Sequence, residues 1–323
     1  MFKKLVKLQK LTISYISTVI GRKFNWMASS ERMVLLPLLH LPSVTSISLN
    51  KIRNFAFADL AGCVNLKNLD FFASDYSNDV GNFLEALPPT PVMLERLVIE
   101  YVRNMNFVQR LCNAQRPDGK PVIDFSSLKE LEISAQVARL DSMRGLFGMC
   151  RNLHKIRLSS VSLLHILFLH PFDLTVEREV ILDPPGSNSS LKGLFAMLKP
   201  SLPTLVDIDI EYYIEYDDEA YDGPLAGLCH ELEKMIGQNV VETINLDIWV
   251  ELGCNCSRWG ELDDVLMGSP EGWPALKKVS LSFNILTISI DDAKAFHEIP
   301  MNKLVESKRV EFNFEVNDSS IWG

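Results

Sequence analysis

Long apolar runs, paired cysteine motifs and an excess of positive charge are all missing from this sequence, and each absence removes a class of protein. No stretch reaches the roughly eighteen uninterrupted apolar residues that a membrane-spanning helix needs. The densest run, 161–172, is short and holds His165 and His170. Lys and Arg number 32 against 41 Asp and Glu, a net charge of −9 with a pI near 5.3. Such a chain lacks the general basic face that neutralises phosphates, so no nucleic-acid partner is expected. Gly and Pro are 16 each, too few for a collagen-like or low-complexity chain. Charged residues at 23% and hydrophobic residues at 47% fit a packed protein with an acidic surface.

Recognisable catalytic and metal motifs are missing as well. There is no phosphate loop, Gly-x-Ser-x-Gly elbow or His-Glu-x-x-His helix. Cys254-x-Cys256 with Cys229-His230 lacks the two Cys-x-x-Cys-like halves of a structural zinc site, so these read as two loop thiols and a helix-face cysteine. The acidic run 217–223 has neither the alternating ligands nor the terminal Glu of a calcium loop. No enzyme activity, metal or cofactor is expected. Lys3, Lys4, Lys7 and Lys10 precede an apolar stretch as in a secretion signal, but Thr12, Ser14, Tyr15, Ser17 and Thr18 fall within it and no small-residue cleavage site follows closely. The scattered cysteines read as reduced core residues, and a cytoplasmic or nuclear location without membrane attachment is expected.

A repeat is present, and it organises the chain. Apolar residues recur at i, i+3, i+6 and i+8: Leu5, Leu8, Leu11, Ile13; Leu41, Val44, Ile47, Leu49; Cys63, Leu66, Leu69, Phe71; Pro91, Leu94, Leu97, Ile99. The series continues with Phe125, Leu128, Leu131, Ile133; Cys150, Leu153, Ile156, Leu158; Leu202, Leu205, Ile208, Ile210; and Trp273, Leu276, Val279, Leu281. Weaker copies lie at Ile244, Leu246, Ile248 and at Val310, Phe312, Phe314. The last two positions alternate with polar residues, as on a half-buried strand of a few residues, and the three-residue spacing before them is the turn that leads in. Such a strand cannot bury its inner face alone; stacked copies share one core.

Helical stripes lie between the strands. They run through Val80, Phe83, Leu84, Leu87; Leu140, Met143, Leu146, Phe147; Leu191, Leu194, Phe195, Leu198; and Leu225, Leu228, Leu232, Met235, with Gly237 as a stop. Trp259, Leu262, Val265 and Leu266 form another, and a segment through Phe296, Ile299 and Leu304 must break or kink at Pro300. The implied fold class is α/β: one solenoid domain over 1–323 of about ten irregular repeats, a horseshoe with a parallel sheet on the concave side and helices on the convex side.

These residues resemble leucine-rich repeats of the ribonuclease-inhibitor-like type. Phrases such as Leu35-Leu36-Pro37-Leu38-Leu39, Cys63-Val64-Asn65-Leu66 and Cys150-Arg151-Asn152-Leu153 look like F-box leucine-rich-repeat proteins. The resemblance implies substrate recognition in an SCF-type ubiquitin ligase, with the F-box docking a Skp-type adaptor and the repeats holding the substrate. The first repeat starts at Leu5, which leaves no space for an F-box before it. The adaptor is therefore expected only if an F-box is missing from this chain. A scaffold or inhibitor with no ubiquitin link is the other reading.

The alternation also predicts the partner-facing side chains. With the apolar positions turned to the core, Asn68, Asp70, Arg96, Glu130, Glu132, Lys155, Arg157, Asp207, Asp209, Glu211, Asn245 and Asp247 face outward on the concave side. Acidic residues cluster from Glu100 to Glu132 and again from Asp207 to Asp247, with Lys155 and Arg157 interrupting them, and beside the second cluster residues 211–222 carry four of the seven tyrosines. Tyrosine combines contact area with a hydroxyl, and acidic neighbours speed the encounter with a basic partner. Asp207, Asp209, Glu211, Tyr212, Tyr213, Tyr216 and Tyr221 are the candidate protein-binding patch, with the tyrosines expected on the loop that leaves the strand. The alternative is a solvated acidic loop whose tyrosines pack on the edge of the solenoid.

Overall fold

The computed structural model describes residues 7–15, 23–77, 88–102, 106–135, 143–160, 191, 193–214, 226–250, 259–269, 271–285 and 299–318. They fall into two compact units, with the boundary in the described residues between Leu153 and His154. The first unit holds β1 (Lys10–Ser14), β2 (Phe24–Asn25), β3 (Ser46–Asn50), β4 (Ile52–Arg53), β5 (Asn68–Phe72), β6 (Val92–Met93), β7 (Arg96–Glu100), β8 (Ile123–Asp124) and β9 (Glu130–Ala135). The second holds β10 (Lys155–Ser160), β11 (Asp207–Ile214), β12 (Thr243–Val250), β13 (Lys278–Ile285) and β14 (Glu311–Asp318).

In the first unit β1, β3, β5, β7 and β9 are parallel and lie in chain order; in the second β10 to β14 do the same. The fold is α/β and solenoid-like in each unit. The register aligns the repeat positions: Ile47 pairs with Leu69, Leu69 with Leu97 and Leu97 with Leu131, while Ile208 pairs with Ile244 and Ile244 with Val279. All of these side chains are buried. At about 25 cal/mol per Å² of apolar area, such rows are the main favourable contribution to folding.

Within each unit most repeats meet the next through one shared carbonyl. Thr45 O accepts the N–H groups of Lys67 (2.9 Å) and Asn68 (3.0 Å), Lys67 O those of Glu95 (2.8 Å) and Arg96 (3.0 Å), and Glu95 O those of Lys129 (2.8 Å) and Glu130 (3.0 Å). In the second unit His154 O, Val206 O and Glu242 O each accept two successive N–H groups of the following repeat in the same manner. The Asn65 amide donates to Pro42 O (2.7 Å) and the equivalent Asn152 amide to Ser126 O (2.8 Å). Backbone donors that the turn cannot satisfy itself are thus taken up by its neighbour.

The units end their strands differently. In the first, a left-handed residue follows the strand in three repeats: Lys51, Ala73 and Tyr101, with φ of 56°, 47° and 54°. After β3 the chain turns at Lys51 into β4, which pairs in parallel with β2. In the second unit β11 to β14 instead run straight for eight residues each. The expectation of strands only a few residues long holds in the first unit and is corrected in the second. The alternation continues past the repeat's last apolar position, through Ile248 and Val250 and through Phe283 and Ile285, all buried.

Helices lie between the strands where the stripes predict them: Arg144–Met149, Leu194–Leu198, Ala226–Glu233 and Gly260–Met267. Gly237 is left-handed at φ 70° beyond the third of these. The helix Asn302–Glu306 begins two residues after Pro300, and the segment 286–298 before it lies outside the described residues. Helices Arg32–Leu39 and Phe107–Asn113 were not predicted; the first contains Pro37. The stripe 80–87 and Phe296 lie outside the described residues.

Buried charge occurs at junctions between elements. Asp59, with a fully buried side chain, accepts from Arg32 Nε (3.0 Å), an Arg32 terminal nitrogen (2.8 Å) and the Trp26 indole (2.6 Å). Glu231, in helix Ala226–Glu233, accepts from the backbone N–H of Phe195 (2.9 Å) at the start of the helix before it. Asp263, in helix Gly260–Met267, accepts from the N–H groups of Lys303 and Leu304 (both 2.8 Å) at the start of the helix after it. The carboxylates take up N–H groups that a helix leaves without an internal partner.

Candidate functional site

The odd-numbered positions of β11 and β12 alternate away from the buried isoleucines and leucines, so Asp207, Asp209, Glu211, Asn245 and Asp247 lie on the polar face of the second unit's sheet. The face is linked laterally. Lys155 Nζ lies 3.1 Å from Asp209 and an Arg157 terminal nitrogen 3.8 Å from Glu211, each pair one step diagonal to the strand register. The Asn245 amide donates to Asp209 and the Asn284 amide to Asp247. Asn317 donates to Asn284 Oδ1 (3.1 Å) and to Ser282 Oγ (3.2 Å), and Lys278 pairs with Glu311 at 3.2 Å. The hydrogen bond from Asn313, then that from Lys278, hold the Glu311 carboxyl below its ordinary value.

Lys155 and Arg157 therefore do more than interrupt the acidic groups: they are bound to them. The Asp209 and Glu211 side chains are only 17% and 20% exposed, against 45% and 49% for the two cations. Across the face three cations, Lys155, Arg157 and Lys278, stand among six carboxylates, Asp207, Asp209, Glu211, Asp247, Glu311 and Glu315. The surface stays negative, yet its acids are already oriented.

The tyrosines divide. The loop expected to carry them begins later than predicted, because β11 runs to Ile214. Tyr213 continues the series Asp207, Asp209, Glu211 and stands in register with Trp249. Tyr212 continues the series Ile208, Ile210 and stands in register with Ile248, a core residue. Tyr216 and Tyr221 lie outside the described residues. Trp249, half-buried on the polar face, is a site residue that the sequence reading missed. Its signal was the alternation Ile244, Leu246, Ile248, Val250, which leaves 249 on the side of Asn245 and Asp247.

The first unit has a polar face built on one arginine. Arg96 lies 2.8 Å from Asp70, 3.6 Å from Glu130 and 3.5 Å from Glu132, above the buried Val98. Cys229 is buried on its helix while His230 beside it is exposed and lies 3.7 Å from Glu233; Cys254, Cys256 and 217–223 lie outside the described residues. Burial pushes the Cys112 thiol up to about 12; burial, and then the nearness of Cys112, does the same for Cys150. Both are protonated at neutral pH and are not poised as nucleophiles.

Among the described residues no helix is long and apolar enough to cross a membrane. No family model matches the chain, and no curated protein matches it.

Proposed function

We propose that the chain is a protein-binding module whose ligand lies on the polar face of β11 to β13, and that it serves as the substrate-recognition part of an SCF-type ubiquitin ligase. One observation carries the binding reading: carboxylates, amides and two aromatic positions, Tyr213 and Trp249, stand side by side on parallel strands. An extended ladder of this kind suits a protein segment better than a small molecule, which needs a concave and mostly apolar pocket. The partner is basic where it meets Asp207 and Asp247, and aromatic contact at the strand ends slows its release. The ligase assignment rests on the resemblance of the repeats; a Skp-type adaptor would be engaged through an F-box joined to this chain.

Affinity capture with wild type, Tyr213→Ala and an Asp207→Lys, Asp209→Lys variant tests the face. A partner held by wild type should be lost roughly tenfold or more in each variant, since truncating a central aromatic at an interface costs about 2 kcal/mol. Equal capture by all three proteins means the face binds nothing. Ubiquitin transfer to the captured partner by an assembled adaptor–cullin complex separates the ligase from a scaffold or inhibitor: no transfer leaves the second.

A further inference from the structure

The net charge of −9 conceals a steep asymmetry along the chain. Residues 1–67 contain ten Lys and Arg but only two acids, Glu31 and Asp59; residues 68–323 contain 22 Lys and Arg against 39 acids. Asp59 is consumed inside the core by Arg32. The surface of the first repeats therefore presents Lys7, Lys10, Lys51, Arg53 and Lys67, all exposed, with Glu31 as the acid among the described residues of that stretch.

Part of this charge borders a groove. At the amino-terminal edge of β1, β3 and β5 the turns of successive repeats enclose an open groove of about 650 Å³. Among the described residues Lys7, Gln9, Ser43, Thr45, Asn65 and Lys67 line it, together with Pro42, and none of these is a carboxylate. Beyond its rim, Glu95 lies 2.8 Å from Lys67 Nζ and 3.3 Å from Lys129 Nζ. The hydrogen bonds from Lys67 and then Lys129 hold that carboxyl below its ordinary value. One carboxylate is thus shared by two lysines, and the edge keeps an excess of positive charge. Lys67 remains 56% exposed.

We propose that this groove takes a short acidic segment of a partner protein. Lys7 and Lys67 supply the charge that attracts and orients carboxylates or phosphates, and the amides and hydroxyl groups of Gln9, Asn65 and Thr45 suit a peptide backbone. A nucleic acid fits less well. Among the described residues the lining offers no aromatic ring for a base to stack on. This site is separate from the face of β11 to β13, and its test does not depend on that reading.

The full chain is titrated into fluorescein-labelled ten-residue peptides, followed by fluorescence anisotropy at low and then physiological salt. The probes are a Glu-Gly peptide, a phosphoserine-Gly peptide, a Lys-Gly peptide and an oligothymidylate of equal length. The acidic peptides should bind saturably, weaken as salt rises, and outcompete the oligothymidylate. A Lys7→Glu, Lys67→Glu variant should bind them at least tenfold more weakly, and a charge-neutral Lys7→Met, Lys67→Met variant several-fold more weakly. Lys277→Glu, in the second unit, should bind as wild type. Tighter binding of the phosphoserine peptide assigns the ligand to a phosphorylated segment; equal binding assigns it to a carboxylate-rich one. No binding of either acidic peptide, unchanged binding by both double variants, or preference for the oligothymidylate overturns the proposal.

Discussion

Asp59 is a single side chain on which three separate segments converge: the Trp26 turn, the helix of Arg32 and its own 3₁₀ turn, Phe57–Gly62. A paired charge in the interior is near neutral for stability, but one left alone is costly. Asp59→Ala should therefore destabilise the protein by about 3–5 kcal/mol in urea unfolding, because it strands Arg32 in a site where that side chain is 8% exposed. Combining Arg32→Met with Asp59→Leu should recover most of the loss; a double variant as weak as the single would mean that the pair itself stabilises the core. No sequence signal announces this contact. The partners are 27 residues apart, and neither belongs to the apolar spacing that reveals the repeats. The ion pairs of Lys155 and Arg157 escaped for the same reason: a strand's alternation says which way a side chain points, but only the register says which neighbour it meets.

At the scale of elements, acids borrowed from neighbouring helices do what local caps do elsewhere. None of the helices Leu194–Leu198, Gly260–Met267 and Asn302–Glu306 has a side-chain bond from its own N-cap residue. Glu231 and Asp263 supply the acceptors for the first and third from an adjacent helix. Burial pushes the Glu231 carboxyl up, but Lys234 and the N–H groups of Phe195 and Gly193 outweigh it, so the folded value lies below the ordinary 4.5. A depressed folded value means stability present above 4.5 and lost as pH falls through the folded value. Glu231→Ala should accordingly cost about 1–3 kcal/mol at neutral pH, and the gap to wild type should narrow in acid below the ordinary carboxylate range. A pH-independent gap would assign the loss to packing alone. Element starts were legible because the spacing i, i+3, i+6, i+8 is imposed by the turn and the first strand residues. Element ends were not. Tyr212 and Tyr213 sit in a run of acids that reads as loop, yet pairing with Ile248 and Trp249 extends the strand through them.

Over the whole molecule the same row of buried positions recurs in both units, and its residues are interchangeable in role. Leu69→Asp in the first unit and Leu246→Asp in the second should each abolish cooperative unfolding and soluble expression, since both positions are at most 2% exposed and an ionised carboxylate there has no partner. Near-native melting of either variant would contradict the register. The seam between repeats carries a different implication. At Thr45, Lys67, Glu95 and Lys129 the backbone is joined by identical chemistry, whatever side chain stands there and however many residues separate the joints. The chain is in this respect modular, like links cut to different lengths but threaded with one fitting. A second copy of 45–66 spliced in after Leu66 would bring its own donors to the carbonyl of the original Thr45 and offer its own carbonyl to Lys67, so that an in-frame duplication lengthens the array without requiring any other residue to change.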